Sequence, residues 1–249
     1  MVYWAKPEFG LKLSQVYNDS LASAHQKYPT RFVGLMTLPM QAPELAVREF
    51  DRAVKLPGIR GVYIATHIND KNLDDKSFWP IYARCEAAGL PLLLHPINPL
   101  GAERMRSYYL RNFIGNPVDT GVAAASLIFG GVMDAFPKLE VVLPHAGGIT
   151  PILIGRWDHG SGVRAETKHM TKAPSTYLRR FHYDTISHSP QIMLTIVRQV
   201  GADRVVLGSD HPADMSLERP VDFVESIPDL TRNERELIMG GNATRLLKL

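Results

Sequence analysis

Cysteine is almost absent from this 249-residue chain. Cys85 stands alone in a helical Ala-Arg-Cys-Glu-Ala run, which excludes an internal disulfide framework and reads as a packed thiol in a reducing, cytoplasmic protein. Charge of one sign is equally scarce: a net +3 with 21% charged residues, dispersed along the chain, offers no basic stripe for nucleic acid. No apolar run reaches the ~18 residues of a membrane span, and the N-terminus lacks the charged-then-apolar order of a secretory signal. No low-complexity linker divides the sequence, so residues 1–249 read as one domain, long enough for a large core. A further absence concerns chemistry, because the chain contains no His-x-His pair.

What is present is alternation. Helical spacing runs from Phe9 to Tyr28, Ala42 to Val54, Ser77 to Ala88, Val118 to Phe136, Ile149 to His159, Gln191 to Val200 and Thr231 to Leu249. The last of these opens on Thr231-x-x-Glu234, a capping-box pattern. Between the helices lie six short apolar runs that read as strands: Arg31–Pro39, Gly61–His67, Pro91–Pro96, Glu140–Gly148, Phe181–Ser187 and Arg204–Pro212. Strands and helices alternating at intervals of roughly 30 residues predict βαβ units and a parallel sheet, an α/β fold.

Four of these strands end in groups with chemistry: His67, His95, His145 and Asp210. Side chains at the C-terminal ends of parallel strands converge on one rim, where active sites of such folds assemble. Asp210 alone reads equally as a metal ligand, a base or a turn cap, with Gly208 letting the chain turn ahead of it. Beside His95 and His145, metal ligation leads. Neutral imidazole and carboxylate suit zinc or another first-row divalent ion such as manganese, which acidifies water or polarises a substrate oxygen. His67 and His211 read as pocket-lining residues, whereas His182, inside a strand, reads as packed.

Longer motifs carry a resemblance. Thr37-Leu-Pro-Met-Gln-Ala-Pro-Glu-Leu-Ala-Val47, Phe136-Pro-Lys-Leu139, His145-Ala-Gly-Gly148 and Gly155-Arg-Trp-Asp-His-Gly160 resemble the aminocarboxymuconate-semialdehyde decarboxylase branch of the amidohydrolase superfamily. The resemblance implies a (β/α)8 TIM-barrel-type fold and metal-dependent, non-oxidative decarboxylation of a small conjugated or aromatic carboxylic acid. It also implies zinc and a homodimer. By position, His95 and Asp210 match metal ligands, His145 the acid/base beside the metal, and Arg156 an arginine that reaches the partner's pocket to hold a substrate carboxylate. Tyr109 stands where the family has a pocket tryptophan, and Ala213 where it has a phenylalanine. The family's His-x-His strand and first two βα units have no counterpart among the six units read here, so the barrel is expected to be incomplete at the N-terminus. Two other readings follow: hydrolysis of a lactone or related acid derivative on the same ligands, and a non-catalytic homologue that binds a partner.

Overall fold

The computed structural model describes residues 1–249. Six strands, β1 (Gly34–Thr37), β2 (Ile59–Ala65), β3 (Leu92–His95), β4 (Val141–Leu143), β5 (Phe181–Asp184) and β6 (Val205–Val206), form one sheet in chain order. Every neighbouring pair is parallel. Each strand is followed by helix: α1 (Pro7–Lys27) precedes β1, and α2 (Pro43–Ala53), α3 (Trp79–Ala88), α4 (Asn116–Phe129) with α5 (Val132–Ala135), α6 (Thr150–Val163) and α7 (Pro190–Val200) join successive strands. Three short helices close the chain, α8 (Pro220–Ser226), α9 (Arg232–Glu236) and α10 (Asn242–Leu247). No helix is long and apolar enough to cross a membrane.

The sheet is fully buried on one face, while on the other Leu35, Tyr63, Leu93 and His95 stay half-buried. One face turns Met36, Val62, Ile64, Leu92, Val141 and Phe181 into the main core against the helices. On the other, Val142 and Val206 meet Leu246 of α10, with Leu93 packed at the margin. The sheet is open, with β1 and β6 as its edges. Edge strands expose unpaired amides and carbonyls, and Asn18 of α1 answers this at β1. Its side chain accepts from the Thr37 N–H (2.8 Å) and donates to the Thr37 carbonyl (3.0 Å). Asn18 is itself held by Glu49, whose carboxylate pairs with Arg52.

Several expectations need correction. Strand β2 stops at Ala65, and His67 instead opens a small antiparallel hairpin with Lys71–Asn72. Its turn residues Asn69 and Asp70 have φ of 46° and 67°, the left-handed pair that a tight hairpin requires and that Asn and Asp tolerate. The final helix runs as expected, from Arg232 to Leu247, with a π-turn at Leu237–Gly241 between α9 and α10. Its start is as predicted, with the Thr231–Glu234 capping box formed in both directions. Helix α8 was not foreseen; it buries a single apolar residue, Val224, too little to show a period.

Candidate metal centre

Three strand ends deliver the donors. His95 is the last residue of β3, in register with Ala65 of β2, while His145 and Asp210 lie just beyond β4 and β6. Their ligand atoms all lie within 4.8 Å of one another. Asp210 Oδ1 is 3.4 Å from His95 Nε2, and Oδ2 is 3.7 Å from His145 Nε2. The two imidazoles meet edge to face at 5.6 Å. They hold the Asp210 carboxyl below its ordinary range, His145 foremost, against the opposing effect of burial. Burial and the Asp210 charge push the nearby Tyr63 hydroxyl up to about 12.

The two histidines differ in how their ring nitrogens are held. His95 Nδ1 lies 3.0 Å from the Pro96 carbonyl. A carbonyl only accepts, so Nδ1 carries the proton, and in the neutral ring Nε2 turns a bare lone pair toward Asp210. Two acceptors facing each other at 3.4 Å call for a cation or a further proton between them, and this donor set fits a divalent metal. His145 Nδ1, by contrast, is buried without a hydrogen-bond partner, so no bond fixes which nitrogen holds its proton.

The backbone beneath His145 is unusual. His145, Ala146, Gly147 and Gly148 all have positive φ, at 54°, 55°, 83° and 57°. A Cβ on Gly148 would sit 2.2 Å from the Pro117 carbonyl oxygen, and one on Gly147 would enter the Tyr183 ring, so only glycine fits either place. Asp210 has φ of 59°, which a short polar side chain accepts. Gly208 serves a different purpose from the one expected: its φ is not positive, and a Cβ there would lie 2.9 Å from the Asp184 side chain. It permits close approach, and Asp210 makes the turn.

Beside His145 and Asp210 opens a cavity of about 320 Å³. Its walls are apolar (Phe113, Ile152, Met215) with two carboxamides, Asn112 and Asn116, and no lysine or arginine lines it. The loop between β3 and α4 supplies one wall, and the loop after β6 supplies another. Tyr109 joins these loops, its hydroxyl donating to Asp214 at 2.9 Å, a bond that raises the tyrosine pKa. Asn112, Asn116 and His188 went unpredicted, because amides and a loop histidine carry no periodic signal. Asp184 lies within the apolar strand pattern Phe181–Ser187, which gives it no signal of its own. Burial raises its carboxyl pKa, partly offset by His145 and by backbone N–H donors.

The other expected site residues lie apart. His67 does not line this cavity. Its Nδ1 accepts from the Asp70 N–H, and its Nε2 faces the carbonyls of Ile97 (2.8 Å) and Asn98 (3.2 Å), so both nitrogens are used in pinning the loop after β3. His67→Ala is therefore expected to lower stability by about 1 kcal/mol, read by thermal denaturation, with divalent-metal affinity unchanged. Loss of metal binding in that variant would return His67 to the site. His211 is exposed and outside the cavity lining. Tyr109 is half-exposed at the mouth, against a neighbouring depression rather than the main cavity. Arg156 is exposed on α6, one helical turn beyond Ile152, and is absent from the cavity lining. Ala213 donates its N–H to the Asp210 carbonyl (2.9 Å), closing the turn after the acid.

The profile of the amidohydrolase family (Amidohydro_2) matches residues 3–249. The chain belongs to the amidohydrolase family. Among its amidohydrolase relatives, a 2-amino-3-carboxymuconate-6-semialdehyde decarboxylase of Dictyostelium discoideum is 36% identical over 99% of this chain and 69% of its own length. The crystal structure of 5-carboxyvanillate decarboxylase from Sphingomonas paucimobilis superposes with a TM-score of 0.91 at 30% identity, covering 100% of this chain and 76% of that one. A dihydroxybenzoic acid decarboxylase from Polaromonas, solved with manganese and the inhibitor 2-nitroresorcinol, has a TM-score of 0.86 at 29% identity, covering 98% and 77%. The α/β fold is thus that of the barrel-type amidohydrolase decarboxylases, represented here by six parallel strands.

Proposed function

We propose that this chain removes a carboxylate, as carbon dioxide, from a small aromatic or conjugated carboxylic acid, at a divalent cation held by His95 and Asp210. The observation that carries this reading is the pair of facing acceptors, His95 Nε2 and Asp210 Oδ1, with an imidazole of unfixed tautomer beside them. Zinc or manganese fits the donor set, and manganese accompanies the Polaromonas relative. Such a cation supplies Lewis acidity toward substrate oxygens.

The chain's own groups account for the rest. The apolar walls at Phe113, Ile152 and Met215 exclude water and take up a flat conjugated body. His145, at the cavity floor, gives a proton to the carbon that bears the carboxylate, which interrupts conjugation. The carbon–carboxylate bond then breaks, its electron pair restores the conjugated system, and carbon dioxide leaves, so one proton is gained for each carbon dioxide lost. No cation from the cavity's own wall meets a substrate carboxylate. Arg156 has its guanidinium exposed and is proposed to reach the pocket of a second copy, where its two parallel N–H donors grip a carboxylate.

The test is product analysis on metal-loaded protein offered phenolic and conjugated carboxylic acids, with released carbon dioxide trapped and counted. Carbon dioxide released in step with acid consumed supports the proposal, and Arg156→Ala is expected to raise KM. Water addition without carbon dioxide release would identify a hydrolase instead. A protein that retains no cation would be a binding module.

A further inference from the structure

The turn that presents His145 stores strain. Left-handed φ is unfavourable for residues with a Cβ, at about 1–3 kcal/mol each, and both His145 (54°) and Ala146 (55°) adopt it. Something must hold them there. Directly beneath lies Asp184, the last residue of β5, buried at 8% exposure. Its Oδ2 accepts the His145 N–H (3.0 Å), and its Oδ1 accepts the N–H groups of Ala146 (2.7 Å) and Ile186 (3.0 Å). One carboxylate thus spans the backbone of both strained residues and ties them to the strand end next door.

The His145 ring has no other anchor of that kind. Histidines that serve metals are normally oriented by a hydrogen bond from the second ring nitrogen. His95 has one, to Pro96, whereas His145 Nδ1 has none. The direction of the His145 imidazole therefore depends on its backbone. We propose that Asp184 is a positioning residue whose carboxylate holds the left-handed turn 145–148 and so aims the His145 ring at Asp210. The aiming stands on the geometry alone; its consequence for a bound cation rests on the proposed function.

Asp184→Asn replaces one acceptor oxygen with a donor that faces backbone N–H groups, so part of the clamp is lost. The control is Asp119→Asn. Asp119 is equally buried, at 5% exposure, and accepts from Thr66 Oγ1 and the Leu100 N–H, but it faces a separate cavity. Two readouts apply to wild type and both variants: the His145 ring resonances of the metal-free protein, and the affinity and visible spectrum of added cobalt(II). Asp184→Asn is expected to shift the ring resonances and, because His95 and Asp210 are the proposed ligands, to leave cobalt affinity near that of wild type while altering the spectrum of the ion beside the displaced imidazole. Asp119→Asn is expected to lose thermal stability but to keep both the wild-type ring resonances and the wild-type cobalt spectrum.

Wild-type ring resonances and cobalt spectrum in Asp184→Asn overturn the inference, as do equal shifts in Asp119→Asn. If wild type binds no cobalt, the metal reading fails by itself, and the ring resonances decide the positioning role. Should Asp184→Asn not fold, Ala146→Gly is added, because glycine takes φ of 55° without strain. The double variant carries the same expected outcomes.

Discussion

Asp210→Asn is expected to abolish stoichiometric binding of a divalent cation while leaving the fold intact. The substitution keeps the shape of the side chain but removes the only carboxylate among the three convergent donors. Groups that merely orient a metal ligand are worth about 10–100-fold in affinity, so loss of an anionic ligand should exceed 100-fold. Two measurements check this. Metal analysis after loading and dialysis should find a cation in wild type and none in the variant. A chelator should lower the Tm of the wild type, because a ligand at 100 times its Kd stabilises by about 2.7 kcal/mol, and should leave the variant unchanged. A variant that keeps wild-type stoichiometry would show that the cation, if any, sits elsewhere. The substitution is tolerable for folding because Asp210 lies in a loop after β6 with its side chain 17% exposed, outside the main core.

His145→Gln should separate chemistry from binding. His95 offers a lone pair fixed by its bond to Pro96, and Asp210 supplies the charge, so these two are expected to retain the cation. The imidazole of His145, with Nδ1 unpartnered, has the ring nitrogens to carry a proton to substrate, which a glutamine amide lacks. Positioned acid or base groups contribute about 10²- to 10⁴-fold, and carbon dioxide release is expected to fall by that amount with metal content preserved. Single-turnover rates beside metal analysis provide the comparison. If cation and activity disappear together, His145 is a ligand; if activity stays at the wild-type level, its role as proton donor is wrong.

The contrast between His95 and His67 shows how far strand-end reasoning reaches. Both follow apolar runs, and both were expected on the same rim. His95 is paired within the sheet up to its own position, so its ring is carried to the rim by the strand. At His67 the sheet has already ended, and Asn69 and Asp70 turn the chain back into a hairpin whose carbonyl and amide partners use up the ring. An Asn-Asp turn is visible in sequence, but whether it caps a strand or starts a hairpin depends on neighbours that the local pattern does not contain. Tyr109 makes the same point: its sequence position suggested a pocket wall, while its bond to Asp214 joins residues 105 positions apart.

Period and punctuation in the sequence determined the alternation of six strands and their helices, the capping box at Thr231, and the arrival of His95, His145 and Asp210 at strand ends. These are local properties, set by side-chain spacing and turn chemistry. The motifs running from Thr37 to Gly160 determined the family. Tertiary structure alone decided which nitrogen of His95 faces Asp210, that the cavity wall carries amides and no cation, and that a buried carboxylate on the next strand grips the strained turn under His145. Each of those depends on distances between groups far apart in the chain, and hydrogen bonds and electrostatic contacts of that kind exist only once the sheet has brought its strand ends together.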